Sequence, residues 1–241
     1  MAVVAVGAQA ARVETAARAA MGSRERFVMR AHYTHLSPTV FSKIVILVAQ
    51  VQVSHHSAGA AVPRLVHAEG NEDAARTDGG AADPLIGQAL WRLEDARSRA
   101  VEWSARIRNL DWAPAPGLSS AGDPLYHLAA IELDWLGSEV RGDDFPGGWE
   151  EWFPVDVRDE QGRLSEVRGE TRERHLARLS WVRSGLLATL RVMTVADFRE
   201  PRVLPAYTVT PEWVLHHLAL HEAHHAGQIA FLGHLHRAAN S

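Results

Sequence analysis

The chain has 241 residues, a formal net charge of −4 and a pI near 6.4, enough for one domain with an appendage or two small ones. Hydrophobic residues at 46 % and charged residues at 22 % place it among globular chains rather than disordered or fibrous ones, and the mild acidity argues against a nucleic-acid binder. With no cysteine anywhere, disulfides, thiolate zinc sites, iron–sulfur clusters and a cysteine nucleophile are excluded, so any metal must be held by nitrogen and oxygen.

The apolar start has no basic segment before it and is interrupted by Gln9 and Arg12, which speaks against a secretory signal. Residues 40–53 are the most apolar run, but they are fewer than the ~20 a bilayer crossing needs and include Lys43, the single lysine. A cytoplasmic protein with no membrane partner is the expectation. Residues 1–83 show no sustained period and close on a Gly- and Asp-rich stretch over 69–83. They are expected to form an extension or linker, with the folded domain at 84–241.

From Pro84 a helical period sets in. Leu85, Leu90, Trp91, Leu93, Ala96, Val101 and Trp103 predict a helix over 84–107. Two prolines break the pattern, and Asp123-Pro124 then predicts an N-cap and first turn for a helix running to about residue 140. Residues 141–168 read as a long loop with a short hairpin. A third helix is predicted over 170–193, followed by a proline-containing connection over 196–209. Thr210-Pro211-Glu212 opens the last helix, which continues to about residue 237. Four such helices without strand alternation predict an all-α four-helix bundle, with Trp91, Trp103, Trp135, Trp181 and Trp213 in its core.

Seven of the 14 histidines (His216, His217, His221, His224, His225, His234 and His236) lie on this last helix. Steps of four and three from Val214 give Leu218, His221, His225, Gln228, Leu232 and Leu235 as the inward stripe. Two imidazoles one turn apart and a glutamine on an apolar face need partners, and a metal ion is the partner that suits them together. His217 borders the stripe as a ligand neighbour or substitute ligand. His216 and His234 are expected in solvent, His224 and His236 on the flanks, and Glu222 off the stripe. One helix face cannot enclose a cation. The helix beginning at Asp123 offers His127 and Glu132, the latter within an apolar stripe and so expected to be buried, paired or ligating.

His221-Glu222-Ala223-His224-His225 also satisfies the H-E-x-x-H pattern of metallopeptidases. The extended form would need glycine at 228 and histidine at 231, where Gln228 and Phe231 stand, and no Asp or Glu follows Glu222 as a later ligand. The peptidase reading is set aside on those grounds.

The stretch Asp123-Pro-Leu-Tyr-His127-Leu-Ala-Ala-Ile-Glu132-Leu-Asp-Trp135 together with His217, His221-Glu222-Ala-His224-His225-Ala-Gly227-Gln228-Ile229 resembles the DinB/YfiT-like superfamily over roughly residues 84–238. The resemblance implies an up-down-down-up-type four-helix bundle whose divalent metal sits on one histidine of the second helix and a His-x-x-x-His pair of the last. Carried over, the ligands are His127, His221 and His225, with Glu132, His217 and Gln228 as surrounding candidates and no catalytic residue assigned. Zinc is the first choice of metal, with nickel, iron or manganese as alternatives. Relatives include mycothiol- and bacillithiol-dependent S-transferases, a mycothiol-dependent maleylpyruvate isomerase and metal-dependent hydrolases. The implied function is a metal-dependent enzyme activating a low-molecular-weight thiol, of mycothiol type, or a water. Its partners would be a small-molecule substrate and, at most, a second copy in a homodimer. The competing class is a non-catalytic metal-binding stress or sensor module, distinguished by a centre with no open coordination position.

Overall fold

The computed structural model describes residues 79–240, so nearly all of the predicted extension over 1–83 lies outside the described residues. In chain order come α1 (Pro84–Ala105), α2 (Gly122–Trp135), a π-helical turn (Leu136–Arg141), α3 (Trp149–Trp152), α4 (Arg172–Leu190), α5 (Val195–Arg199), β1 (Arg202–Val203), β2 (Thr208–Val209) and α6 (Pro211–Ala239). The four long helices form an all-α bundle in which α1 lies along α6, α2 packs on α4, and α2 also meets α6. No helix among the described residues is long and apolar enough to cross a membrane.

Three of the four long helices start at a side-chain cap. Asp83 Oδ1 accepts from Leu85 N–H at 2.8 Å with Pro84 following. Thr171 Oγ1 accepts from Arg174 N–H at 3.2 Å, and Thr210 Oγ1 from Trp213 N–H at 3.1 Å with Pro211 in the first turn. Asp123 departs from the expected cap. Helix α2 begins at Gly122, and the buried Asp123 carboxylate instead accepts from Ser120 N–H at 2.8 Å, Val167 N–H at 2.9 Å and Arg168 Nη1 at 2.6 Å. These donors take the carboxylate in place of the helix's own amides, and the two distant ones, Val167 and Arg168, tie the loop before α4 to the start of α2.

The predicted second helix is continuous to Arg141, but its last turn is π-helical and closes on Gly142, whose φ of 67° is the left-handed conformation glycine adopts at least cost. The hairpin expected in the following loop is a single bridge between Arg158 and Leu164. The connection before α6, predicted irregular, holds α5 and an antiparallel ribbon pairing Arg202 with Val209. Tyr207 at that ribbon donates through Oη to Glu139 Oε1 at 2.5 Å and so pins it to the π-turn.

In α1 the buried positions Ile86, Leu90, Leu93, Arg97, Ala100 and Ser104 advance by four and three. Of the residues that predicted the helix, Leu90, Leu93 and Ala96 are buried, Trp91, Val101 and Trp103 are half-buried and Leu85 is exposed. Helix α2 is buried on every side from Gly122 to Asp134, because α4, α6 and the loop before α4 enclose it. The tryptophans correct the expectation of a core role: Trp91, Trp103, Trp135 and Trp181 are half-buried and Trp213 is exposed. Indole width suits the rim, and Leu, Ile and Val fill the interior. The last residues of the predicted linker are bound to the bundle. Arg191 Nε donates to Gly79 O at 2.9 Å, and Ala82 N–H donates to Arg191 O at 3.2 Å.

Candidate metal centre

The middle of α2 and the middle of α6 bring His127, His221 and His225 together. His221 Nε2 lies 3.1 Å from His127 Nε2 and 3.0 Å from His225 Nε2. These are the three residues among those described whose donor atoms converge closely enough to hold one metal ion. One turn of helix between His221 and His225 places their rings edge to face, with centroids 4.5 Å apart, and His127 meets both at 5.0 Å.

The protons decide what such a cluster can hold. His225 Nδ1–H donates to Gln228 Oε1 at 2.7 Å, which leaves a lone pair on His225 Nε2. The Gln228 amide is itself fixed, donating through Nε2 to His224 Nε2 at 2.9 Å. A proton on His221 Nε2 can point at only one of its two neighbours, and without it that nitrogen faces the bare His225 Nε2, so the two contacts are never both hydrogen bonds. A cation at the centre takes all three. The donor set therefore fits a divalent ion held by neutral imidazoles, which leaves room for further ligands.

The electrostatics agree. Burial holds the His127 imidazole well below the usual histidine range, and the neighbouring His221 and His225 and the Arg158 charge add to the effect. His221 is lowered likewise by burial, then by His225, His217, His224 and Arg158. For His225, burial and then His224 and Arg158 push the value down to about 4, against the bond to Gln228. All three rings are neutral ligands at neutral pH. His127 Nδ1 is buried and meets no hydrogen-bonding partner among the described residues.

Glu132 and Glu222 occupy a different cluster. Arg97 Nε donates to Glu222 Oε1 at 2.6 Å, and Arg97 Nη2 donates to Glu132 Oε2 at 2.6 Å. Arg183 donates through Nε to Glu132 Oε1 and through Nη2 to Oε2, both at 2.8 Å, and through Nη2 to Glu222 Oε1 at 3.1 Å. Burial raises the Glu132 pKa, but the Arg183 and Arg97 charges and hydrogen bonds outweigh it and hold the carboxyl below its usual range. Glu132 is thus the buried, paired group its apolar position predicts, and it is not one of the converging donors.

Glu222 corrects the predicted stripe. It is 2 % exposed, and the inward face of α6 runs through Val214, Leu215, Leu218, Glu222, His225, Ala226, Ile229, Gly233 and His236. The helix is turned slightly from the face that a histidine-centred count selects, because Arg97 and Arg183 draw Glu222 inward. His236, expected on a flank, is buried with its ring edge-on to Trp112 at 5.2 Å. His216, His224 and His234 are exposed.

His217 stacks on Trp213 at 5.1 Å with the rings 7° apart, packs against Trp135 at 4.8 Å and lies parallel to His221 at 6.2 Å. It belongs to an aromatic column beside the centre. Sequence reasoning missed Arg97 and Arg183, although each arginine interrupts an apolar helical period and a buried guanidinium demands carboxylate partners.

Comparison with known proteins adds one finding. A family model for the DinB superfamily matches residues 92–229, more than half of the chain and including all three converging histidines. No curated protein matches.

Proposed function

The chain belongs to the DinB superfamily, and from that premise we propose that it is a divalent-metal-dependent enzyme, with zinc on His127, His221 and His225 activating a thiol or a water. The observation that carries this reading is the meeting of three Nε2 atoms, from the buried His127 and His225 and the half-buried His221, that cannot all satisfy one another by hydrogen bonds. A bound zinc would lower the pKa of a coordinated thiol or water toward ~7 and supply the nucleophile.

The chain's own residues do the remainder. Gln228 sets the His225 tautomer, and the Arg97–Glu132–Arg183–Glu222 cluster fixes how α6 faces α2. Burial keeps the imidazoles neutral and so available. Glu222, the residue a peptidase would use as base, is engaged by two guanidinia instead. That engagement favours S-transfer or hydrolysis of a small molecule over peptide cleavage.

Metal analysis of untagged protein tests the centre, since a tag would load metal unaided. About one ion per chain is expected. His127→Ala, His221→Ala and His225→Ala should each lose most of it, while the exposed His216→Ala and His234→Ala keep it. Chelator-sensitive conjugation of a small thiol to 1-chloro-2,4-dinitrobenzene then tests the transferase branch. A chain that binds no metal under any condition removes the proposal.

A further inference from the structure

Helix α6 has an exposed face without charge. Between Trp213 and His236 the only Asp, Glu, Lys or Arg is Glu222, and that carboxylate is buried. The exposed side of α1, by contrast, carries Arg92, Glu94, Arg99 and Glu102. With a helix turning about 100° per residue, Trp213, Leu220, Gly227 and Phe231 fall within about 40° of one another. All four are exposed, Leu220 at 59 % and Phe231 at 53 %. A helix face left to water normally carries charge, and a long apolar stripe without it marks a contact surface.

Gly227 supplies a second, independent observation. Glycine weakens a mid-helix position relative to alanine. A Cβ there would meet nothing within 4 Å, so no contact among the described residues requires the glycine. Gly233 differs, since a Cβ on it would press on Ile107 of the α1 side at 3.3 Å. Bare backbone between two bulky apolar side chains fits a close approach from outside the chain. Turning a second α6 antiparallel about a two-fold axis midway between Leu220 and Phe231 sets each Leu220 level with Phe231 of the other copy. The same turn sets each His224 level with the opposite Gly227, so bulk meets the small position near the middle. The charges bounding the stripe are Glu212 before it and Arg237 after it. Antiparallel packing brings the acidic end of one copy to the basic end of the other, whereas parallel packing sets like beside like. From Trp213 to Ala238 the stripe is about 38 Å long and about 10 Å wide, on the order of 400 Å² per copy. That is about half of what each partner gives to a standard interface, so dissociation is expected at about 10–100 µM.

We infer that the uncharged face of α6 is a homodimer interface, in which two copies of this chain pack antiparallel across Gly227 with Leu220 of each against Phe231 of the other. The inference stands apart from the metal reading, since none of these three residues is among the converging donors.

Sedimentation velocity of the full chain from about 1 to about 500 µM tests this, with monomer expected at the low end and dimer at the high end. Leu220→Glu and Phe231→Lys alter exposed positions, so each should keep the wild-type circular dichroism and stay monomeric throughout. Mixed in equal amounts they should restore a dimer, because the antiparallel register sets the new carboxylate beside the new ammonium and leaves the symmetry-related contact native. Gly227→Ala should weaken association about tenfold while the melting temperature of the dilute monomer holds or rises. A glycine needed by its own fold would not give that split, and undiminished association in this variant overturns the close approach. Dimers that survive both charged substitutions overturn the inference, and variants that stay apart when mixed overturn the antiparallel register. A wild type monomeric at every concentration overturns it too. Slow thiol labelling of Phe231→Cys in that monomer would give the face to residues 1–78 instead, since the chain has no other cysteine to react.

Discussion

His225 faces two demands at once, with Gln228 Oε1 on Nδ1 and the convergence of imidazoles on Nε2. Removing the amide frees the tautomer, so Gln228→Leu should weaken metal affinity about 10- to 100-fold with the fold intact. A competition titration against a chromophoric chelator reads this, and wild-type affinity would contradict it. The same three imidazoles set a pH dependence for the metal-free protein. Each has its pKa lowered in the folded state, so between the ordinary value of about 6.5 and the folded values the unfolded chain binds more protons. Stability is then fully present above about pH 6.5 and falls as the pH drops toward the folded values. Urea denaturation of metal-free protein at pH 7.5 and pH 5 should show the loss; equal midpoints would refute it. At this scale the sequence was informative. Spacing alone singled out His221, His225 and Gln228, because polar side chains one turn apart on an apolar face leave a trace in a single helix.

Helix α6 shows where legibility ends. Its start was readable from Thr210 and Pro211, and Thr210→Ala should cost about 1 kcal/mol in denaturant unfolding. Its rotation was not, since the deciding contacts come from Arg97 on α1 and Arg183 on α4. Such pairing joins residues far apart in the chain and leaves no period in either. Against an apolar replacement the whole cluster need add nothing to stability, yet removing one member strands a buried charge. Glu222→Ala is therefore expected to lower unfolding free energy by about 3–5 kcal/mol. A loss below about 1 kcal/mol would mean the cluster does not hold the helices. The Asp123 cap failed for the same reason as the rotation, with donors from the distant Val167 and Arg168 that a local pattern cannot show.

For the molecule as a whole, the bundle, the order of its helices and the pairing of α2 with α6 followed from periodicity, caps and the family resemblance. The loop between the π-turn and α4 did not, because its path is set by Val155 N–H donating to Tyr126 Oη at 3.2 Å and by the bridge between Arg158 and Leu164. Metal binding only the native state should raise the melting temperature, by the equivalent of about 2.7 kcal/mol at a hundred times the dissociation constant, and a chelator should reverse it. Calorimetry with and without zinc checks this; identical curves would show that the ion is not bound by the fold. The buried cluster also bears on descent. His221 and His225 answer to the imidazole cluster they share with His127, whereas Glu222 answers to Arg97 and Arg183, so two unrelated sets of contacts underlie one H-E-x-x-H string. A descendant with no use for that cluster can shed the histidines one at a time and keep the glutamate. The four charged residues cannot drift singly, because every first step leaves an unmatched charge, so their replacement requires paired changes on separate helices.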